Sequence, residues 1–132
     1  MSYKAEQKAI EARFQANYTL TSVKYDNVDF KPVPDTAYVE LQVFTGDQIP
    51  ISTGGPGDIL YRNTGIISIN VRSALNEGTQ NGKNIADTCA AVFRGTNFSN
   101  ITCYGASITR LGKVDEWFVH NVSIPYFRDE AF

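Results

Sequence analysis

One histidine, two cysteines and a glycine-spaced lysine are the residues of this chain whose types could carry chemistry. The lysine is Lys83, preceded by Gly78 and Gly82, and it lies between a strand-like and a helix-like stretch. That is the setting of a phosphate-binding loop, whose backbone N–H groups cradle phosphates while a Lys and a following Ser or Thr reach phosphate and metal. The spacing does not fit. Three residues separate the glycines where four are needed, and Asn84 follows the lysine. Gly78 and Gly82 therefore read as turn residues ahead of a helix that starts near Thr79 to Gly82. His120 shares a strand face with Phe118, Val122 and Ile124, the place of a packed or interface imidazole and not of a catalyst. Cys89 and Cys103 form no C-x-x-C pair and read as free, buried thiols in a reducing compartment. No zinc-ligand spacing, G-x-S-x-G elbow or distinct carboxylate pair is present. The residues name no catalytic group, no cofactor site and no metal site, although distant residues can still assemble one.

The elements that would position these groups are clearest between Gly65 and Gly95. Ile67, Ile69 and Val71 alternate with Ser68, Asn70 and Arg72, the period of a strand with one face in the core. Ile85, Cys89, Val92 and Phe93, with Ala86 and Ala90 beside them, then share one helical face, and Gly95 stops the helix. Upstream, Ile10, Phe14 and Tyr18 recur every four residues in a first helix over Ser2 to Tyr18. Its apolar stripe is narrow, which places it at a sheet edge or against a neighbouring subunit. Thr21 to Tyr25 is a short strand, and Pro32 and Pro34 keep Phe30 to Asp35 extended. From Ala37, Val39, Leu41 and Val43 face one way and Tyr38, Glu40, Gln42 and Phe44 the other. Phe98 to Thr109 and Trp117 to Tyr126 form a hairpin with Gly112 in its turn. Pro125 ends the pairing or marks an edge, leaving an aromatic tail.

The stretch Gly46 to Asn63 is the least structured, with Gly54, Gly55, Pro56 and Gly57 at its centre, yet it carries Ile49, Ile51, Ile59, Leu60 and Tyr61. A long connection of this kind is functional or mobile, and we expect it to be ordered by assembly. A more remote reading makes it the lid of a small enzyme or ligand-binding domain.

At 132 residues the chain is one domain with enough core to need no staples. Its net charge of −2, without a basic block, argues against holding nucleic acid by neutralising phosphates. No signal peptide or membrane-spanning run is visible, so the four sequons beginning at Asn17, Asn97, Asn100 and Asn121 carry no weight.

The motifs taken in order resemble the tail terminator proteins of long-tailed bacteriophages, the group of the lambda tail terminator and its minor-tail-protein relatives. The resemblance rests on Phe14 and Tyr18, on YDNVDF and P-x-P-D (Tyr25 to Phe30, Pro32 to Asp35) leading into YVELQV, on the Gly65 strand, on an EGT loop and IAD helix ending in Phe93, and on Trp117 to Pro125. It implies an α+β subunit, with an N-terminal and a central helix packed on an antiparallel-rich mixed sheet, that forms a homohexamer ring. In that family the ring caps the tail tube, ends its polymerisation and joins the head. The implied partners are other copies of this chain, the major tail tube protein and a head-completion or connector protein. DNA passes through the ring without sequence-specific binding, and no membrane is involved. The implied location is the virion neck, assembled in the host cytoplasm; a connector or tube subunit is the nearest alternative. Candidate interface residues are Ile10 and Phe14 on the first helix, Ile49, Ile51, Ile59 and Tyr61 in the loop, and Tyr126, Phe127 and Phe132 in the tail.

Overall fold

The computed structural model describes residues 2–55 and 58–131. It holds helices α1 (Tyr3–Asn17) and α2 (Gln80–Phe93) and strands β1 (Ser22–Lys24), β2 (Tyr38–Pro50), β3 (Leu60–Ala74), β4 (Asn97–Phe98), β5 (Ile101–Cys103), β6 (Ser107–Val114) and β7 (Trp117–Ala131). The strands form one sheet in the order β1-β2-β3-β7-β5-β4, with β6 also on β7. Among the described residues only β1 and β2 pair in parallel. The fold is the α+β arrangement that the sequence implies.

Alternation along β3 and β7 divides the sheet into two faces. Ile67, Ile69 and Val71 meet Val39, Leu41, Val122 and Ile124 on the face covered by the helices, all of them buried. Ile85, Cys89 and Phe93 of α2 close this core from above. The narrow stripe of α1 belongs to the same core: Ile10 and Phe14 are wholly buried, and the Phe14 ring stacks on Tyr18 at 4.7 Å and on Phe93 at 5.9 Å. Long aromatic side chains let a thin stripe reach α2, so this helix is not held back for a neighbour. Gly95, at φ +65°, ends α2.

Three other expectations change. Gly46 to Asn63 is not loop throughout, because β2 continues to Pro50 and β3 begins at Leu60, and the two pair as an arm as far as Pro50↔Tyr61. All of β2 from Phe44 onward is exposed, so no apolar alternation is required there and the strand leaves little trace in the sequence. Pro56 and Gly57 lie outside the described residues. Pro125 does not end β7, which pairs with β3 from Trp117 to Ala131. The Tyr104 N–H donates to the Pro125 carbonyl at 2.9 Å, so the side of Pro125 that lacks a donor faces the gap between β6, whose pairing reaches Ser123, and β5, whose pairing starts at Tyr126. Gly112, at φ +80°, sits at a bulge within β6, and the hairpin turn is at Asp115 and Glu116.

Two contacts fix the arm end of the sheet. Gly65 pairs with Tyr126, and a Cβ on Gly65 would overlap that ring, lying 2.5 Å from Cζ. Beside it the Arg128 guanidinium, 1% exposed, donates to the Glu6 carboxylate of α1 at 2.8 Å and to Glu130 at 2.7 Å. Gly65→Ala is expected to cost about 1–3 kcal/mol through overpacking. Arg128→Ala is expected to cost about 3–5 kcal/mol, because it leaves the buried Glu6 carboxylate without its cation, and Glu6→Ala less, because Glu130 still accepts from Arg128. Replacing both, as Glu6→Leu with Arg128→Met, should cost less than the sum. Urea denaturation of the four variants tests these values, and additive losses for the pair would contradict the coupling.

Candidate functional site

The uncovered face of the sheet has three zones along the strands. At the β1 end, Tyr38 packs against Trp117 at 5.2 Å and Phe30 at 4.9 Å, which covers the apolar residues there. In the middle runs a polar row in register, Lys24, Glu40, Asn70 and Asn121. Lys24 pairs with Glu40 at 2.9 Å, the Asn70 amide donates to Glu40 at 3.2 Å, and the Asn121 amide donates to Asn70 and Ser68 at 2.9 Å. Burial alone would raise the Glu40 pKa, but the hydrogen bonds from Lys24 and Asn70 outweigh it and hold it low. The row is satisfied within the subunit.

The third zone, at the arm, is apolar and uncovered. Phe44, Ile66 and Tyr104 are 54%, 44% and 50% exposed and, with Thr64 and Pro125, line a depression of about 360 Å³. The bulge between Thr45 and Gln48 extends this zone. Before it Phe44 pairs with Ile66 on the open face, and after it Ile49 pairs with Arg62, also of the open-face phase. The inserted residue therefore returns Ile49 to the side it would otherwise have left. Gly46 allows the close approach, since a Cβ there would lie 2.8 Å from Thr64 Oγ1. Ile51, whose N–H donates to the Leu60 carbonyl at 2.8 Å, continues the strip outward. Phe127 lies within it, half-buried, with Tyr104 at 5.4 Å and the Arg62 guanidinium over its ring at 4.2 Å; Arg62 is itself held by Asp129.

The expected interface residues separate accordingly. Ile49, Ile51 and Phe127 share the strip, and Ile49 and Ile51 are about half exposed. Ile59 and Tyr61 are half-buried. Ile10, Phe14 and Tyr126 lie in the core and are not a surface. Phe132 falls outside the described residues. Phe44, Ile66, Tyr104 and Pro125 were not singled out from the sequence, although Phe44 and Ile66 are apolar residues on the polar phase of their strands, a signal that marks an uncovered face.

The chemically capable residues stand apart from this strip. Cys89 and Cys103 are free and buried, and burial pushes the Cys89 thiol up to about 12, which keeps it protonated. Among the described residues no group of three His, Cys, Asp or Glu could hold a metal ion, and no described helix is long and apolar enough to cross a membrane. His120 is 1% exposed under the first turn of α2, where a Cβ on Gly82 would lie 3.0 Å from its Nδ1. Among the described residues neither ring nitrogen has a hydrogen-bond partner.

The family model described as phage tail terminator protein matches residues 7–126. The chain belongs to the phage tail terminator family. That family is a structural one, so the chain has a structural role in the phage tail. No curated protein matches the chain. A solved structure with a TM-score of 0.64 and 18% identity covers 100% of this chain and 96% of its own, which shows that the fold occurs elsewhere. For a tail terminator, His120 is packing, and its titration is a matter of stability. Burial first, then the charges of Lys83 and Arg110, hold its pKa below 6.5. The folded protein keeps it neutral while the unfolded chain takes up a proton below about pH 6.5, so stability is full above that pH and falls as the pH drops toward the folded value. Urea midpoints between about pH 7 and 5 should fall less steeply for His120→Gln than for the native chain, and parallel slopes would refute this.

Proposed function

We propose that this chain forms a homohexameric ring that caps the tail tube, stops its polymerisation and presents the surface that joins the head. The observation that carries the reading is the apolar strip from Phe44 and Ile66 to Ile49 and Ile51, uncovered in the subunit and reaching out along a paired arm. A patch of this kind on a soluble domain marks a contact surface. The tail tube protein is the occupant of the strip, and a head-completion or connector protein takes the opposite side of the ring. DNA crosses the ring without base readout, since the chain has a net charge of −2 and no basic block. Assembly takes place in the host cytoplasm, and the ring remains in the virion neck.

Negative-stain microscopy of the purified protein with tail tubes should show six-fold rings at tube ends and no long tubes of this chain alone. Self-assembly into long tubes would instead identify a tube subunit. Phe44→Asp and Ile49→Asp are expected to leave a folded subunit with a thermal midpoint within a few degrees of the native one, yet to lower completed tails at least tenfold. Ile10→Asp, which buries a charge in the core, should unfold the subunit. Normal phage yield from both strip variants would overturn the assignment of the strip.

A further inference from the structure

Between β1 and β2 the chain runs over the β1 end of the open face as a strap, Asp26 to Ala37, that belongs to no helix or strand. It is held at three points. The Asp26 carboxylate anchors its start, accepting from the Val43 N–H at 3.1 Å and from the Gln7 amide at 3.2 Å. The Phe30 ring pins its middle on Tyr38. Near its end the Thr36 N–H closes a turn on the Val33 carbonyl at 3.2 Å, with Pro34 second and Asp35 third at φ +58°, the pattern of a type II turn. Pro32 and Pro34 fix the backbone on both sides of Val33, and a residue before proline is itself kept extended.

What this frame holds outward is apolar. Val28 and Val33 are 57% and 63% exposed, the highest values for large apolar side chains among the described residues, and Pro32 and Pro34 are exposed beside them. A strap that only covered Tyr38 and Trp117 would need Phe30 and no outward valine. Carboxylates surround the valines: Asp29 and Asp35 lie on the strap, and Asp115 and Glu116 form the turn before Trp117, which packs on Tyr38 at 5.2 Å. All four are exposed, against the exposed Lys31 and Lys113, and among the described residues none of the four is in an ion pair.

The strap and the arm stand at opposite ends of the strands. β2 begins under the strap at Tyr38 and reaches the arm only beyond Phe44, while β7 runs from Trp117 at the strap end to Ala131 at the arm. With the tube on the arm strip, the strap end is the end left free. We propose that the strap is a preformed docking segment whose Val28 and Pro32-Val33-Pro34 bend enter an apolar pocket, rimmed by Lys or Arg, on a protein of the head side. The proposal rests on the ring reading and deepens it by giving the head-side contact its residues. A segment already stiff loses little freedom on binding, and six copies in one ring add their contacts, so few side chains per subunit suffice.

The test adds the full-length native or variant protein to tails grown without it, mixes these with DNA-filled heads, and scores tail length and joined particles by electron microscopy. Val28→Asp with Val33→Asp is expected to keep the fold and normal tail length but to lower joining about tenfold or more, since each buries a charge in the pocket. Phe30→Ala, which frees the strap, should shift the emission of the single Trp117 to the red and lower joining about threefold with both valines in place. Asp29→Lys with Asp35→Lys should lower joining, and added salt should weaken joining by the native protein. Normal joining by the valine variant, or by Phe30→Ala despite its shifted emission, would overturn the docking role and leave the ring reading intact. Loss of length control in the valine variant would place the strap on the tube side and overturn it too. A native protein that neither sets tail length nor supports joining would overturn the ring reading itself.

Discussion

The pairing of β3 with β7, unbroken from Leu60↔Ala131 to Ala74↔Trp117, is the constraint on which the remaining structure depends. A slip of one residue would move every side chain of the slipped strand to the opposite face, exchanging Ile67 and Ile69 of β3 for Ser68 and Asn70, or Val122 and Ile124 of β7 for Asn121 and Ser123. The register is held at the arm end by two buried contacts. Tyr126 fills the space that Gly65 leaves, and the buried Arg128 ties the end of β7 to Glu6 of α1. A buried ion pair adds little net stability, but a mispaired register would leave its charges uncompensated, which selects against slippage.

With that register fixed, the open face sorts itself into a covered aromatic end, a satisfied polar row and an apolar strip. The strip is continuous because the bulge at Thr45 to Gln48 changes the phase of β2. This accounts for a structural tail protein whose chemically capable side chains, His120, Cys89 and Cys103, are all buried in packing.

Much of the core was legible in the sequence. Ile67 to Val71 and Ile85 to Phe93 obey a strict period because one side of each element is wholly buried. The arm was not legible, because a strand wet on both faces has no period to show. Pro125 looked like a terminator because the local rule is sound; the exception arises where β6 gives way to β5, a fact of topology. The stripe of α1 looked too narrow for a core because its breadth was counted in residues, while the reach of Phe14 and Tyr18 decides. Phe44 and Ile66, the residues at the heart of the strip, were missed as interface candidates, although apolar side chains on a polar phase were their trace in the sequence.

The central claim is that this subunit ends tail growth and makes the tail competent to join a head. Its most direct measurement is the length distribution of tails, by electron microscopy, in a phage from which this gene is deleted, with and without the native protein supplied in trans. The account predicts tubes extending beyond the normal length and unattached heads in its absence, and both corrected by the supplied protein. Tails of uniform normal length joined to heads without it would contradict the account.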